Sequence, residues 1–240
     1  MIDWLRPEKA QPSIELSGRA IPIELNRHAR ARRLTMRMAP DGTAVRITLP
    51  KWCRSEDAFA FARARRAWLE TQLGKVPAAE DPVVRGTLRF RGNYLAIDWR
   101  TDAPRRVALS EGRLTVGGPR STLANRLQRW LEGEAEQLMR ADLAEYCDRA
   151  GVPVPALRIS RARRRWGSCS TSGIVRVNWR LAMAPDLIRR SVVAHEVAHL
   201  VHFDHSPAFH ALLGDIYEGE ISDADAWLRT DGRTLYADFG

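Results

Sequence analysis

His195, Glu196 and His199 stand in the order His-Glu-x-x-His, and five residues separate His199 from His205. On a helix, side chains four apart lie one above the other on one face. His195 and His199 would then project side by side, at a distance that one metal ion can bridge. At ~100° per residue, Glu196 falls about 100° round from His195 and about 60° from His199. It would flank the metal instead of ligating it, where a carboxylate can take a proton from water. A catalytic zinc takes three protein ligands and keeps one position open, so a third ligand must come from outside this pair. His205 is the choice, with His202 and His210 as rivals. His202 lies seven residues from His195, about 10 Å along the axis at ~1.5 Å per residue, and can hardly join both histidines.

The element that must hold these residues is a helix opened by Pro185 and Asp186, a proline at the first position followed by an acid at the positive end of the helix dipole. Val192, Val193, Ala194, Val197, Ala198, Leu200 and Val201 make it apolar nearly all round, which implies burial. Two histidines and a glutamate buried there without a metal would be costly. Ser206-Pro207 reads as the cap and first residue of a new helix. The chain must therefore turn near Phe203-Asp204, and that turn can return His205 to the metal, whereas His210 would lie inside the new helix.

Further motifs precede this helix: Arg165-Trp166-Gly167-Ser168-Cys169-Ser170, then Val177-Asn178-Trp179-Arg180, then the segment from His195 to Phe209. In that order they resemble the YgjP-like branch of the SprT-like zinc metallopeptidases, whose pattern is HExxH, five residues, then His. Arg30 to Leu34 and Val45 to Pro50 resemble the same branch more loosely, so the likeness covers nearly the whole chain, with its strong motifs in the last third. His210, where an aromatic is usual, and Arg164 before the RWGSC run depart from the pattern. The resemblance implies a zincin-like α+β fold, with the active-site helix beside a β-hairpin. It also implies Zn2+ on His195, His199 and His205, and hydrolysis of peptide bonds by a zinc-activated water with Glu196 as general base.

The hairpin formed by 165–180 would supply the substrate's support. An extended peptide can add to a sheet edge through main-chain hydrogen bonds, and Trp166, Gly167, Ser168 and Asn178 are the candidate substrate-binding residues. Asp204, Asp215 and Glu218 are candidate orienters of the histidines.

The remaining chain reads as frame. Residues 1–20 look like a loosely held arm. Strands are predicted over 21–25, 34–38 and 45–49, with a turn at Pro40-Asp41-Gly42-Thr43. Ser55 opens a helix to about Leu73 that would bury Phe61, Trp68, Leu69 and Leu73. Val76 to Pro82 reads as a linker. Two hairpins turn at Gly92-Asn93 and Glu111-Gly112, and Ser121 opens a long helix ending at Gly151. Short helices over 206–217 and 222–228 close the chain, the second with Ser222 and Asp225 spaced as a capping box. Residues 1–118 are thus expected as a β-rich amino-terminal region with one helix, and residues 119–240 as the zincin-like catalytic region.

Composition bounds the surroundings. The chain of 240 residues is 45% hydrophobic and 28% charged, ordinary for a globular protein with a real core. Its amino terminus lacks an apolar signal region, and no run approaches a membrane span. Cys53, Cys147 and Cys169 are widely spaced and odd in number, which points to buried thiols in a reducing cytoplasm. The net charge of +9 comes mostly from arginine scattered over three segments, which favours a solvated surface over a nucleic-acid patch. Two rival readings accompany the zinc peptidase. One is an SprT-like protease acting on DNA-associated proteins, and the other is a non-catalytic, zinc-stabilised binding module.

Overall fold

The computed structural model describes residues 12–76, 81–163 and 165–239. They fall into two compact units divided between residues 77 and 78, inside the linker whose residues 77–80 lie outside the described part.

The amino-terminal unit is built on a four-stranded sheet. Its strands are β1 (Ser13–Leu16), β2 (Arg19–Arg27), β3 (Thr35–Met38) and β4 (Val45–Leu49), in the order β1-β2-β4-β3. Two helices, α1 (Ser55–Ala64) and α2 (Arg66–Gly74), follow. The expected loose arm is corrected for its described part. Ser17 and Gly18 both take positive φ, a tight turn that pairs β1 with β2 and buries Ile14 and Leu16. The turn over 40–43 is present, with the Thr43 N–H donating to Asp41. The single helix expected over 55–73 is interrupted at Arg65, whose backbone leaves helical angles. Leu69 and Leu73 reach the core of Ile21, Ile23, Val45, Ile47 and Leu49, whereas Trp68 remains 43% exposed.

In the second unit, α3 (Pro82–Arg85) leads into β5 (Thr87–Phe90), β6 (Asn93–Trp99), β7 (Ala108–Ser110) and β8 (Arg113–Val116). Both expected hairpins form, the first turning on the positive-φ pair Arg91-Gly92, one residue before the expected Gly92-Asn93, and the second on Glu111-Gly112 as expected. The sheet order β5-β6-β8-β7 places a parallel β6–β8 pair at its centre. Leu88, Phe90, Leu114 and Val116 share one core with the long helix α4 (Leu123–Ala150). That core spans the expected boundary at 118/119, so residues 81–118 stand with α4 and the elements that follow it.

Beyond α4, β9 (Leu157–Ser160), β10 (Gly167–Cys169) and β11 (Val175–Asn178) form a sheet of order β10-β11-β9, so β10 is an edge strand. A 3-10 turn over Trp179–Met183 ends β11 sooner than expected. Pro185 then caps α5 (Asp186–Val201) from outside its first turn. The chain closes with α6 (Pro207–Ile216), α7 (Ile221–Thr230) and a 3-10 turn over Gly232–Tyr236. Ser206 caps α6 as expected, accepting from the Phe209 N–H. The Ser222–Asp225 capping box does not form, because α7 begins at Ile221 with Glu220 as its cap.

Ion pairs fasten α5 to α4. The buried Arg189 guanidinium donates to Asp142, with Nε–Oδ2 at 2.7 Å, and also pairs with Asp186. Arg190 bridges Asp142, Glu145 and Glu218, and Glu218 in turn accepts from the Tyr146 hydroxyl. Among the described residues no helix is long and apolar enough to cross a membrane.

Candidate metal centre and catalytic site

The site is assembled from α5, the turn that follows it, and the first turn of α6. His195 and His199 project from one face of α5, their ring centroids 4.8 Å apart. The helix ends at His202, and the turn over 203–206 brings His205 back so that its Nε2 lies 3.3 Å from that of His195. His195, His199 and His205 each offer one nitrogen, and these atoms all lie within 4.8 Å of one another. The fully buried Phe209 ring packs against all three imidazoles, with centroids 4.6 to 5.0 Å away. His202 and His210, the rivals for the third position, are not in this cluster.

The donor set fits a metal ion. His199 Nδ1 lies 3.0 Å from the His202 carbonyl oxygen, the arrangement in which the ring donates there and leaves Nε2 for a metal. Burial first, and then the charges of His199, His205 and His210, push the His195 pKa down to about 4. The ring is therefore neutral at pH 7, the protonation state in which imidazole binds metal. Three nitrogens and no carboxylate form a set suited to zinc, copper or nickel.

Glu196 is buried beside this cluster, against β10. Burial raises its pKa to about 7, opposed by a hydrogen bond from the Cys169 main-chain N–H and by the charge of Arg165. Its Oε2 has no partner among the described residues. Gly167 makes the fit possible, because a Cβ there would stand 2.4 Å from Glu196 Oε1. A cavity of about 160 Å3 opens next to His195 and Glu196, walled by Trp166, Gly167, Val192, Leu213 and Leu228.

Of the four candidate substrate-binding residues, Trp166 and Gly167 line this cavity and Ser168 lies on the edge strand between Gly167 and Cys169. Asn178, the fourth, is fully buried, donating to the Ala162 carbonyl and accepting from the Arg180 N–H. Of the carboxylate candidates for orienting the histidines, Glu218 belongs to the α4–α5 ion-pair network, Asp204 accepts from the Ser206 N–H, and Asp215 is exposed on α6. The group found on His199 is a main-chain carbonyl, which residue type cannot announce. Phe209 enters the sequence pattern only as its closing aromatic, although an aromatic three residues after a helix cap is a usable packing signal.

An α+β unit with three convergent histidines and a buried glutamate on a His-Glu-x-x-His helix defines a metallopeptidase-type site. Residues 32–231 match the family model described as YgjP-like, metallopeptidase domain. The chain therefore belongs to the YgjP-like metallopeptidase family. No curated protein and no solved structure matches it.

Proposed function

We propose that this protein is a zinc-dependent peptidase in which His195, His199 and His205 hold the ion and Glu196 is the general base. The observation that carries the reading is the buried Glu196 carboxyl, with one oxygen unpartnered, beside three histidine nitrogens. A carboxyl so placed can both accept and return a proton. A purely structural metal module has no use for such a carboxyl, and perturbed groups of this kind concentrate at functional sites.

The chemistry the ion supplies when bound is Lewis acidity, polarising a carbonyl and acidifying water. The protein's own residues do the rest. Phe209 walls the three imidazoles, and the His202 carbonyl orients His199. Glu196 takes a proton from the attacking water as the new C–O bond forms. It then delivers that proton to the amine nitrogen as the C–N bond breaks. Gly167 keeps the space that Glu196 needs.

The substrate chain lies along β10. The Asn178 N–H donates to the Trp166 carbonyl and the Ser170 N–H to the Ile174 carbonyl, so residues 166, 168 and 170 direct their main-chain groups toward β11. Those of Gly167 and Cys169 face the free edge. The Cys169 N–H is engaged by Glu196, which leaves the Gly167 groups and the Cys169 carbonyl for an extended peptide. The adjoining cavity, apolar at Trp166, Val192, Leu213, Ile221 and Leu228 with Ser191 and Asp225 in its wall, receives a side chain of the substrate.

The test is metal content beside activity on an unfolded protein substrate. About one zinc per chain is expected, retained in Glu196→Gln with hydrolysis lost. Metal retained in full by His205→Ala would remove His205 from the ligand set, and wild-type protein with zinc but no hydrolysis of any unfolded substrate would count against the peptidase.

A further inference from the structure

The positive charge of this chain is concentrated in one part. Residues 12–76 hold 13 Lys or Arg against 6 Asp or Glu, a net +7 of the chain's +9. Among the described residues, Arg30, Arg32, Arg33, Arg37, Arg63 and Arg65 make no ion pair, whereas Arg46 pairs with Glu24 and Arg66 with Glu70. Arg33 and Arg65 border a groove of about 550 Å3 whose other walls are Leu34, Thr35, Met36, Phe61 and Trp68. No carboxylate lines it.

One wall of this groove is β3, an edge strand. The Ala39 N–H donates to the Ala44 carbonyl, and the register continues through Arg37↔Arg46 and Thr35↔Thr48. Residues 35, 37 and 39 therefore exchange hydrogen bonds with the neighbouring strand, and the N–H and C=O groups of Leu34 and Met36 point outward. Both of these residues line the groove. An extended chain laid against β3 would find unpaired main-chain groups, an apolar surface and two arginines.

We propose that the β3 groove docks an extended, acidic segment of the polypeptide substrate as an added strand. Main-chain pairing to Leu34 and Met36 sets its register, and Arg33 and Arg65 meet its carboxylates. Calling the occupant a substrate rests on the peptidase reading above; the binding itself does not. A single-stranded nucleic acid fits less well. It has no peptide N–H and C=O groups to pair with the strand edge, and of the two groove aromatics on which bases could stack the Arg65 guanidinium lies 4.2 Å over Phe61, leaving Trp68.

The experiment uses the full chain and a fluorescein-labelled peptide of alternating glutamate and valine, read by anisotropy and by hydrogen exchange. The peptide should bind, weaken with salt, and protect the amides of the 34–38 segment from exchange. Arg33→Glu with Arg65→Glu should weaken binding at least about tenfold through like-charge repulsion, while zinc content and cleavage of a short uncharged peptide stay unchanged. A peptide N-methylated at alternate residues, unable to pair with β3, should bind as weakly. Equal binding of the methylated peptide, no protection of the 34–38 amides, or tighter binding of oligothymidine at the same groove would each overturn the proposal. Docking and hydrolysis are read separately. Binding without cleavage of any substrate counts against the peptidase alone, and cleavage without this binding counts against the groove alone.

Discussion

The role proposed for Glu196 sets two requirements: the carboxyl must be buried enough to hold protons near neutrality, yet close enough to the histidines to act on what they bind. Gly167 reconciles them by letting β10 pass against the carboxyl without a side chain. Gly167→Ala forces either the strand or Glu196 to move. A displacement of about 1 Å at a catalytic group can cost about a hundredfold. The expected outcome is therefore a fall in kcat of that order with zinc content unchanged. Normal turnover in that variant would show that the strand yields freely and that the packing against Glu196 is not needed.

The helix that carries the histidines is held by charge as well as by apolar packing. Arg189 and Asp142 are almost fully buried, with side chains 3% and 5% exposed. Removing Asp142 leaves the buried Arg189 only the more exposed Asp186 as its partner, which costs up to the roughly 3–5 kcal/mol of a broken buried pair. Asp142→Ala should lower the unfolding free energy by that amount in denaturant titrations. Pairing it with Arg189→Met should recover part of the loss, since no charge is then left alone at the pair. Glu218, at the other end of this network, tests the same idea by pH. Burial alone would raise its pKa, but hydrogen bonds from Arg190 and Tyr146 outweigh that and hold it at about 2, below its ordinary 4.5. A depressed carboxyl stabilises the fold fully above pH 4.5, and the contribution fades as pH falls toward 2. Glu218→Gln should therefore melt below wild type at pH 7, with the gap narrowing by pH 3. A constant difference in Tm across that range would exclude the linkage.

On the scale of the molecule, the proposed metal ties the end of α5 to the turn before α6. An ion that binds the folded site but not the unfolded chain adds stability by mass action. At free zinc of about 100 times its dissociation constant, that is about 2.7 kcal/mol. Chelation should lower the Tm and zinc should restore it, whereas an unchanged melting curve would leave the three-histidine cluster without its metal. The units themselves follow their cores: β1 to β4 close over one cluster of apolar side chains, and the β5–β8 sheet shares a second with α4 and α5.

The periodicity of the residues around His195 was enough to predict the helix, and Ser206-Pro207 was enough to predict the next one. Between them they implied the turn that returns His205. Those signals are local, carried by residues within a few positions of one another, and they also marked the turn at Glu111-Gly112 and, to within one residue, that at Arg91-Gly92. What only the tertiary structure decided were pairings between segments distant in sequence: the β5–β8 sheet joining α4 in one core, Glu218 meeting Arg190, Asn178 turned inward, and Gly167 set against Glu196. The His202 carbonyl on His199 belongs with them, because every residue carries such a group and only the path of the chain aims it. Residue types state what chemistry is available, and packing determines which groups face one another.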